Sequence, residues 1–187
     1  TSPGIGYTPA DTLTATFFGG GAATAATSVT GIAVAANTSG GMTFKGNGVT
    51  TLTGPSTYSG ATLVSAGTLL VNGSLGDTAV TVQSTATLGG TSGTIGAGAA
   101  SVTVNTGGTL APGSSAGTLT VNGGVSIDGT FAYEYDGGTT SADLLDVNGT
   151  LTLNSATLSL VDLLGDSYTL NDKFTLVAYD LLSPGST

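Results

Sequence analysis

The chain repeats itself, and that limits its folds more than any other feature. AVTVQSTATLGG at 79–90 is echoed by SVTVNTGGTLAPG at 101–113, and GTLLVNG at 67–73 by GTLTVNG at 117–123. DVNGTLTLNSATLSL at 146–160 uses the same phrases again. The spacing is loose, roughly 20 residues, which lies in the range of solenoid repeats. Within each phrase apolar residues alternate: Val80 and Val82, Val102 and Val104, Leu119 and Val121, Val125 and Ile127, Leu151 and Leu153, Leu158 and Leu160. A period of two marks strands. Asn72-Gly73, Gly89-Gly90, Gly107-Gly108, Asn122-Gly123 and Asn148-Gly149 break the strands, and such pairs suit tight corners.

Two architectures accommodate short strands with Asn-Gly corners. An antiparallel β-sandwich would use the pairs as hairpin turns. A parallel β-helix would place equivalent residues directly above one another, so the same residue type suits successive coils. The likeness between neighbouring units favours the β-helix. At about 20 residues per coil and ~4.8 Å per layer, at most about nine coils and about 40 Å of rod are expected.

Composition agrees. Gly accounts for 32 of 187 residues, and only 7% of residues are charged, against roughly 25% in ordinary domains. Thr and Val favour strands, and no helix-forming vocabulary is present. Three regions are expected: 1–47, a Gly/Ala-rich arm or cap; 48–127, the β-helix repeats; and 128–187, a Tyr-containing β-strand region with 9 of the 11 acidic residues.

GVTTLTGPSTYSGATLVSAGTLLVNGSLG at 48–76 resembles the autotransporter-associated β-strand repeat of bacterial passenger domains and large secreted surface proteins. The residues that carry the likeness are Gly48, Leu52, Thr57-Tyr58-Ser59-Gly60, Thr62, Val64, Gly67-Thr68-Leu69 and Val71. GGTLAPGSSAGTLTVNG at 107–123, LLDVNGTLTLNSATLSL and DKFTLVAYD resemble the segments that follow in that family, so the likeness covers roughly 48–180. It implies a right-handed parallel β-helix on the cell exterior. The implied roles are adhesion or a surface layer.

Function classes fall away quickly. The net charge is −9, with Lys45 and Lys173 the only cations. Phosphate neutralisation is out of reach, so no nucleic-acid partner is expected. No apolar run reaches the ~18 residues of a membrane-spanning helix, and no membrane insertion is expected. Without His, Cys or Arg, Ser-His-Asp, Cys-His and zinc sites cannot be built. Paired carboxylates remain as glycosidase candidates: Glu134 with Asp136, and Asp143 with Asp146. Glu134 and Asp136 alternate with Phe131, Tyr133 and Tyr135, which puts them on the solvent face of a strand. No enzyme is expected.

Calcium is the one cofactor the sequence suggests, through Asp136, Asp143 and Asp146, with Asp128 nearby, because calcium collects six to eight oxygens. Gly19-Gly20-Gly21 lacks the following Lys-Ser/Thr of a phosphate loop. The sequons at Asn37, Asn72 and Asn148 are explained by corners. Tyr7, Tyr58, Tyr133, Tyr135, Tyr168 and Tyr179 could stack on sugars, or pack over the Leu ladders.

The remaining reading is structural. A solenoid turns repetition into length and leaves two ends with open strand edges. We therefore expect a secreted surface protein that assembles with copies of itself, or binds cell-surface polysaccharide as an adhesin. An apolar arm containing Leu13, Phe17, Phe18, Val29, Ile32 and Val34 is the expected inter-subunit strand.

Overall fold

The computed structural model describes residues 40–113, 115–136, 141–163 and 173–186. They belong to one compact unit, Ser39–Thr187. It is all-β, its parallel sheets stacked as a β-solenoid of about five turns.

Strands come in threes. β1 (Met42–Phe44), β2 (Val49–Leu52) and β3 (Pro55–Ser56) form the first round; β4 (Thr62–Val64), β5 (Gly67–Val71) and β6 (Ser74–Leu75) form the second. β7 (Ala79–Val82) and β8 (Ala86–Gly89) begin the third. After that the third strand of one round runs on into the first strand of the next. This gives the long bent strands β9 (Ser92–Val104) and β11 (Thr118–Ile127), separated by the short β10 (Thr109–Ala111). β12 (Thr130–Asp136), β13 (Ser141–Ala142), β14 (Leu144–Leu153), β15 (Thr157–Asp162) and β16 (Val177–Leu182) complete the order.

Each strand lies beside the equivalent strand of the next coil. β1, β4 and β7 continue into the second halves of β9, β11, β14 and β16. β2, β5, β8, β10, β12 and β15 form the second column. β3 and β6 continue into the first halves of the long strands. All these pairings are parallel, so the sandwich alternative is set aside. The one antiparallel pair among the described residues joins β13 to the end of β12.

After a first step of 20 residues from Met42 to Thr62, the coils lengthen along the chain. Thr62 lies beside Val80, 18 residues on, and Val80 beside Val102, 22 on. Val125 lies beside Leu151, 26 on, and Leu151 beside Leu182, 31 on. Few long turns therefore replace many short ones, and the nine-coil maximum is not reached. β1 already stacks on β4, so the first coil starts before the expected boundary at residue 48. The parallel columns also run unbroken through residue 128 into β14, β15 and β16.

Inward residues form continuous stacks. Leu69, Leu88, Leu110 and Phe131 stand in register in the second column, the three Leu wholly buried and Phe131 nearly so. Val80, Val102, Val125 and Leu151 do the same in the first. Beside the Leu stack, Thr68, Thr87, Thr109, Thr130 and Thr157 form a ladder facing outward. The Thr-Tyr-Ser-Gly motif has a structural role: Tyr58 Oη meets Thr62 Oγ1 at 2.8 Å, Thr62 meets Thr78 at 3.0 Å, and Thr78 Oγ1 donates to the Gly60 carbonyl. That chain of bonds satisfies two hydroxyls buried in the early coils.

A polar ladder holds one corner. Asp77 Oδ1 accepts from the Ala97 and Ala99 N–H groups, Asn122 Nδ2 donates to the Gly96 carbonyl, and Asn148 Nδ2 donates to Asn122 Oδ1. The two bonds hold the exposed Asp77 carboxyl below its ordinary value. Gly123 sits at the same corner with φ +155°, and a Cβ there would collide with the Ala100 carbonyl. Only glycine lets the coils approach this closely.

Candidate functional site at the last coil

Two features stand out at the C-terminal end of the solenoid: an exposed apolar layer and a carboxyl pair beneath it. The layer comes from the stacks themselves. Leu158 continues the Leu69–Phe131 stack and Leu160 stands on Tyr133. Both are inward positions, yet Leu158 is 49% and Leu160 57% exposed, where Leu110 is fully buried. Tyr179, over Val147 in the third column, and Leu182, over Leu151 in the first, repeat this. Nothing among the described residues lies above them in the stack.

Beneath the layer runs an aromatic series. Phe131, Tyr133 and Tyr135 follow one another at centroid separations of 6.3 and 6.4 Å, and Tyr135 meets Phe174 at 5.7 Å. Tyr133 is buried and its hydroxyl donates to the Thr175 carbonyl. Tyr133, Tyr135, Leu160, Phe174 and Leu176 line an open apolar recess of about 200 Å³. Of the tyrosines expected to meet sugars, Tyr133 is core and Tyr58 belongs to the hydroxyl chain, while Tyr179 lies exposed on the end layer. Tyr7 and Tyr168 lie outside the described residues.

The carboxyl pair is Asp143 and Glu134. After β13 pairs antiparallel with the end of β12, Asp143 N–H donates to the Glu134 carbonyl at 2.8 Å. Asp143 Oδ2 accepts from the Glu134 N–H at 2.9 Å, and Oδ1 from the Gly117 N–H at 3.1 Å. The side chain, 1% exposed, packs against Gly113, where a Cβ would strike the carboxylate. Burial pushes the Asp143 carboxyl up to about 6, against the pull of its two backbone donors and with a further push from Glu134. Burial, then the Asp143 charge, raises the Tyr133 phenol as well. Glu134 Oε2 is buried and has no hydrogen-bond partner.

This corrects the expected solvent face of β12. Glu134 and Asp136 do alternate with the aromatics, but the returning chain at 141–143 lies along that strand end and Asp136 is buried. Among the described residues the calcium candidates Asp136, Asp143 and Asp146 stand apart. Asp143 spends both oxygens on backbone N–H groups, Asp136 closes β12 opposite Ser141, and Asp146 lies on β14 between Thr120 and Ala178. Among the described residues no three acidic side chains come together as a metal-binding group. The expected assembly arm, Leu13, Phe17, Phe18, Val29, Ile32 and Val34, lies outside the described residues. Leu158 and Leu160 were legible as strand alternation. Their exposure was not, because exposure depends on what stacks above.

A second recess, of about 230 Å³, lies on the first column and is lined by Ser101, Thr103, Ser126, Thr150 and Thr152 with Val102, Gly124 and Val125. No helix of the described residues is long and apolar enough to cross a membrane. No protein-family model matches the chain, and neither a curated protein nor a solved structure is significantly similar to it.

Proposed function

We infer that the protein is a structural subunit of an assembly outside the cell, a surface filament or layer built from copies of this chain. One observation carries the reading. The core stacks run through the described coils, and the inward leucines of the last described coil, Leu158 and Leu160, are still half exposed. Open strand edges with apolar side chains recruit further strands. A surface of Thr, Ser, Asn and Gly with two lysines, and the resemblance of 48–76 to the autotransporter-associated repeat, support an exterior location. The test is electron microscopy of the purified chain. Uniform filaments are expected; monodisperse short rods at all concentrations would overturn the reading.

The hydroxyl-lined recess favours a second reading, an adhesin that meets polysaccharide through Ser101, Thr103, Ser126, Thr150 and Thr152. A glycan array that binds the chain, and loses binding when Thr103 and Ser126 become Ala, distinguishes it from the first.

A further inference from the structure

We propose that Asn47 is a site of spontaneous covalent modification: the Gly48 nitrogen closes onto the Asn47 side chain, and water then opens the ring to aspartyl and isoaspartyl linkages.

The chain carries four Asn-Gly pairs, at 47–48, 72–73, 122–123 and 148–149. In each, the glycine puts no side chain in the way of its own nitrogen. The chemistry needs only water. The glycine nitrogen attacks the asparagine Cγ, and the new N–Cγ bond forms as the Cγ–Nδ2 bond breaks. The proton lost from the glycine nitrogen balances the one that Nδ2 takes up as it leaves as ammonia. Water then adds to one of the two imide carbonyls, and the C–N bond that breaks decides which linkage results. By sequence the four pairs are alike; the fold separates them.

Three pairs are held. Asn72 Oδ1 accepts from the Thr91 N–H at 2.9 Å, and the Gly73 N–H donates to the Leu52 carbonyl at 2.9 Å. Asn122 Nδ2 donates to the Gly96 carbonyl at 2.8 Å, and its Oδ1 accepts from Asn148 Nδ2 at 2.9 Å. Both of these asparagines lie inside strands, on β11 and β14. Attack at any of the three requires these bonds to open first.

Asn47 is held by none. It lies at the exposed corner between β1 and β2. Among the described residues its side chain has no hydrogen-bond partner, and the Gly48 N–H has no acceptor. A Cβ on Gly46 or Gly48 would meet nothing within 4 Å, so the backbone around Asn47 has room to turn. The exposure belongs to the corner rather than to the first coil. Ser84, Thr85 and Thr106, at the same corner of coils inside the stack, are exposed too. The isoaspartyl linkage adds a methylene to the main chain just before Gly48, whose carbonyl accepts from the Thr68 N–H at 3.0 Å. Either product places a carboxylate two residues from Lys45.

The test holds the intact chain in mildly alkaline buffer and follows it by peptide mass mapping with isoaspartyl detection. Conversion at Asn47 is expected to run at least about tenfold ahead of Asn72, Asn122 and Asn148, which react only from locally opened coils. In denaturant the four should convert at similar rates. Gly48→Ala, whose added methyl has open space, is expected to slow Asn47 about tenfold with the fold unchanged. Equal rates at the four pairs in the folded chain would overturn the proposal. So would an Asn47 that stays intact while the unfolded chain converts, a lead that persists in denaturant, or a Gly48→Ala protein that converts as fast.

Discussion

Asp143 makes the clearest demand on a single residue. Its carboxyl is enclosed by Gly113, Gly117 and β12, and burial holds its titration near 6. Glu134 and Tyr133 on β12 are the titratable groups that interact with it. The folded chain therefore keeps this proton more firmly than the unfolded chain, whose carboxyl titrates near its ordinary 3.8. The stability that the protonated form contributes is fully present below the ordinary value. It is lost as pH rises through that value to about 6, and is level above. An NMR titration of the Asp143 side chain should give a midpoint of about 6. The melting temperature should fall between about pH 4 and 7 in the native protein, and fall less in Asp143→Asn. A midpoint at the ordinary carboxylate value would show that water reaches the carboxyl.

At the scale of elements, position along the stack decides what a leucine contributes. Leu88 lies between Leu69 and Leu110 and is fully buried, whereas Leu160 stands on Tyr133 with its outer side bare. Leu88→Ala should cost about 2–5 kcal/mol, because it opens a cavity that neighbouring coils cannot close. Leu160→Ala should cost under about 1 kcal/mol in the monomer, because little burial is lost. Denaturant unfolding of the two variants at low protein concentration checks the contrast. The same logic explains what the sequence revealed. Alternation named the inward residues of β7, β9, β11 and β14 because each coil repeats its neighbour's environment. It could not reveal the burial of Asp143, whose partner Gly117 is 26 residues away and whose antiparallel return at β13 occurs once among the described residues. The lengthening of the coils was not legible either, since insertions at corners leave the strand pattern intact. The Asn-Gly pairs were legible as corners, but Asn122-Gly123 and Asn148-Gly149 lie within β11 and β14 rather than breaking them, and the bond from Asn148 to Asn122 depends on stacking.

In the whole molecule, each coil touches mainly the coil before and the coil after. Stability of such a stack is close to a sum of coil and interface terms, and the end coils are the first to come away. The growth in coil length, from 18 residues between Thr62 and Val80 to 31 between Leu151 and Leu182, then acquires a mechanical meaning. Under tension each coil is a spool. Freeing one shortens the stacked rod by only ~4.8 Å. It pays out about 60 Å of thread for the short spool and about 105 Å for the long one, at about 3.4 Å per residue. A single molecule drawn out by its ends should therefore lengthen in steps of unequal size, the longest from the C-terminal side. Equal steps, or one all-or-none release, would show that the coils do not let go one at a time. Joined into a fibre, such subunits would absorb a sudden load by unreeling before the fibre parts.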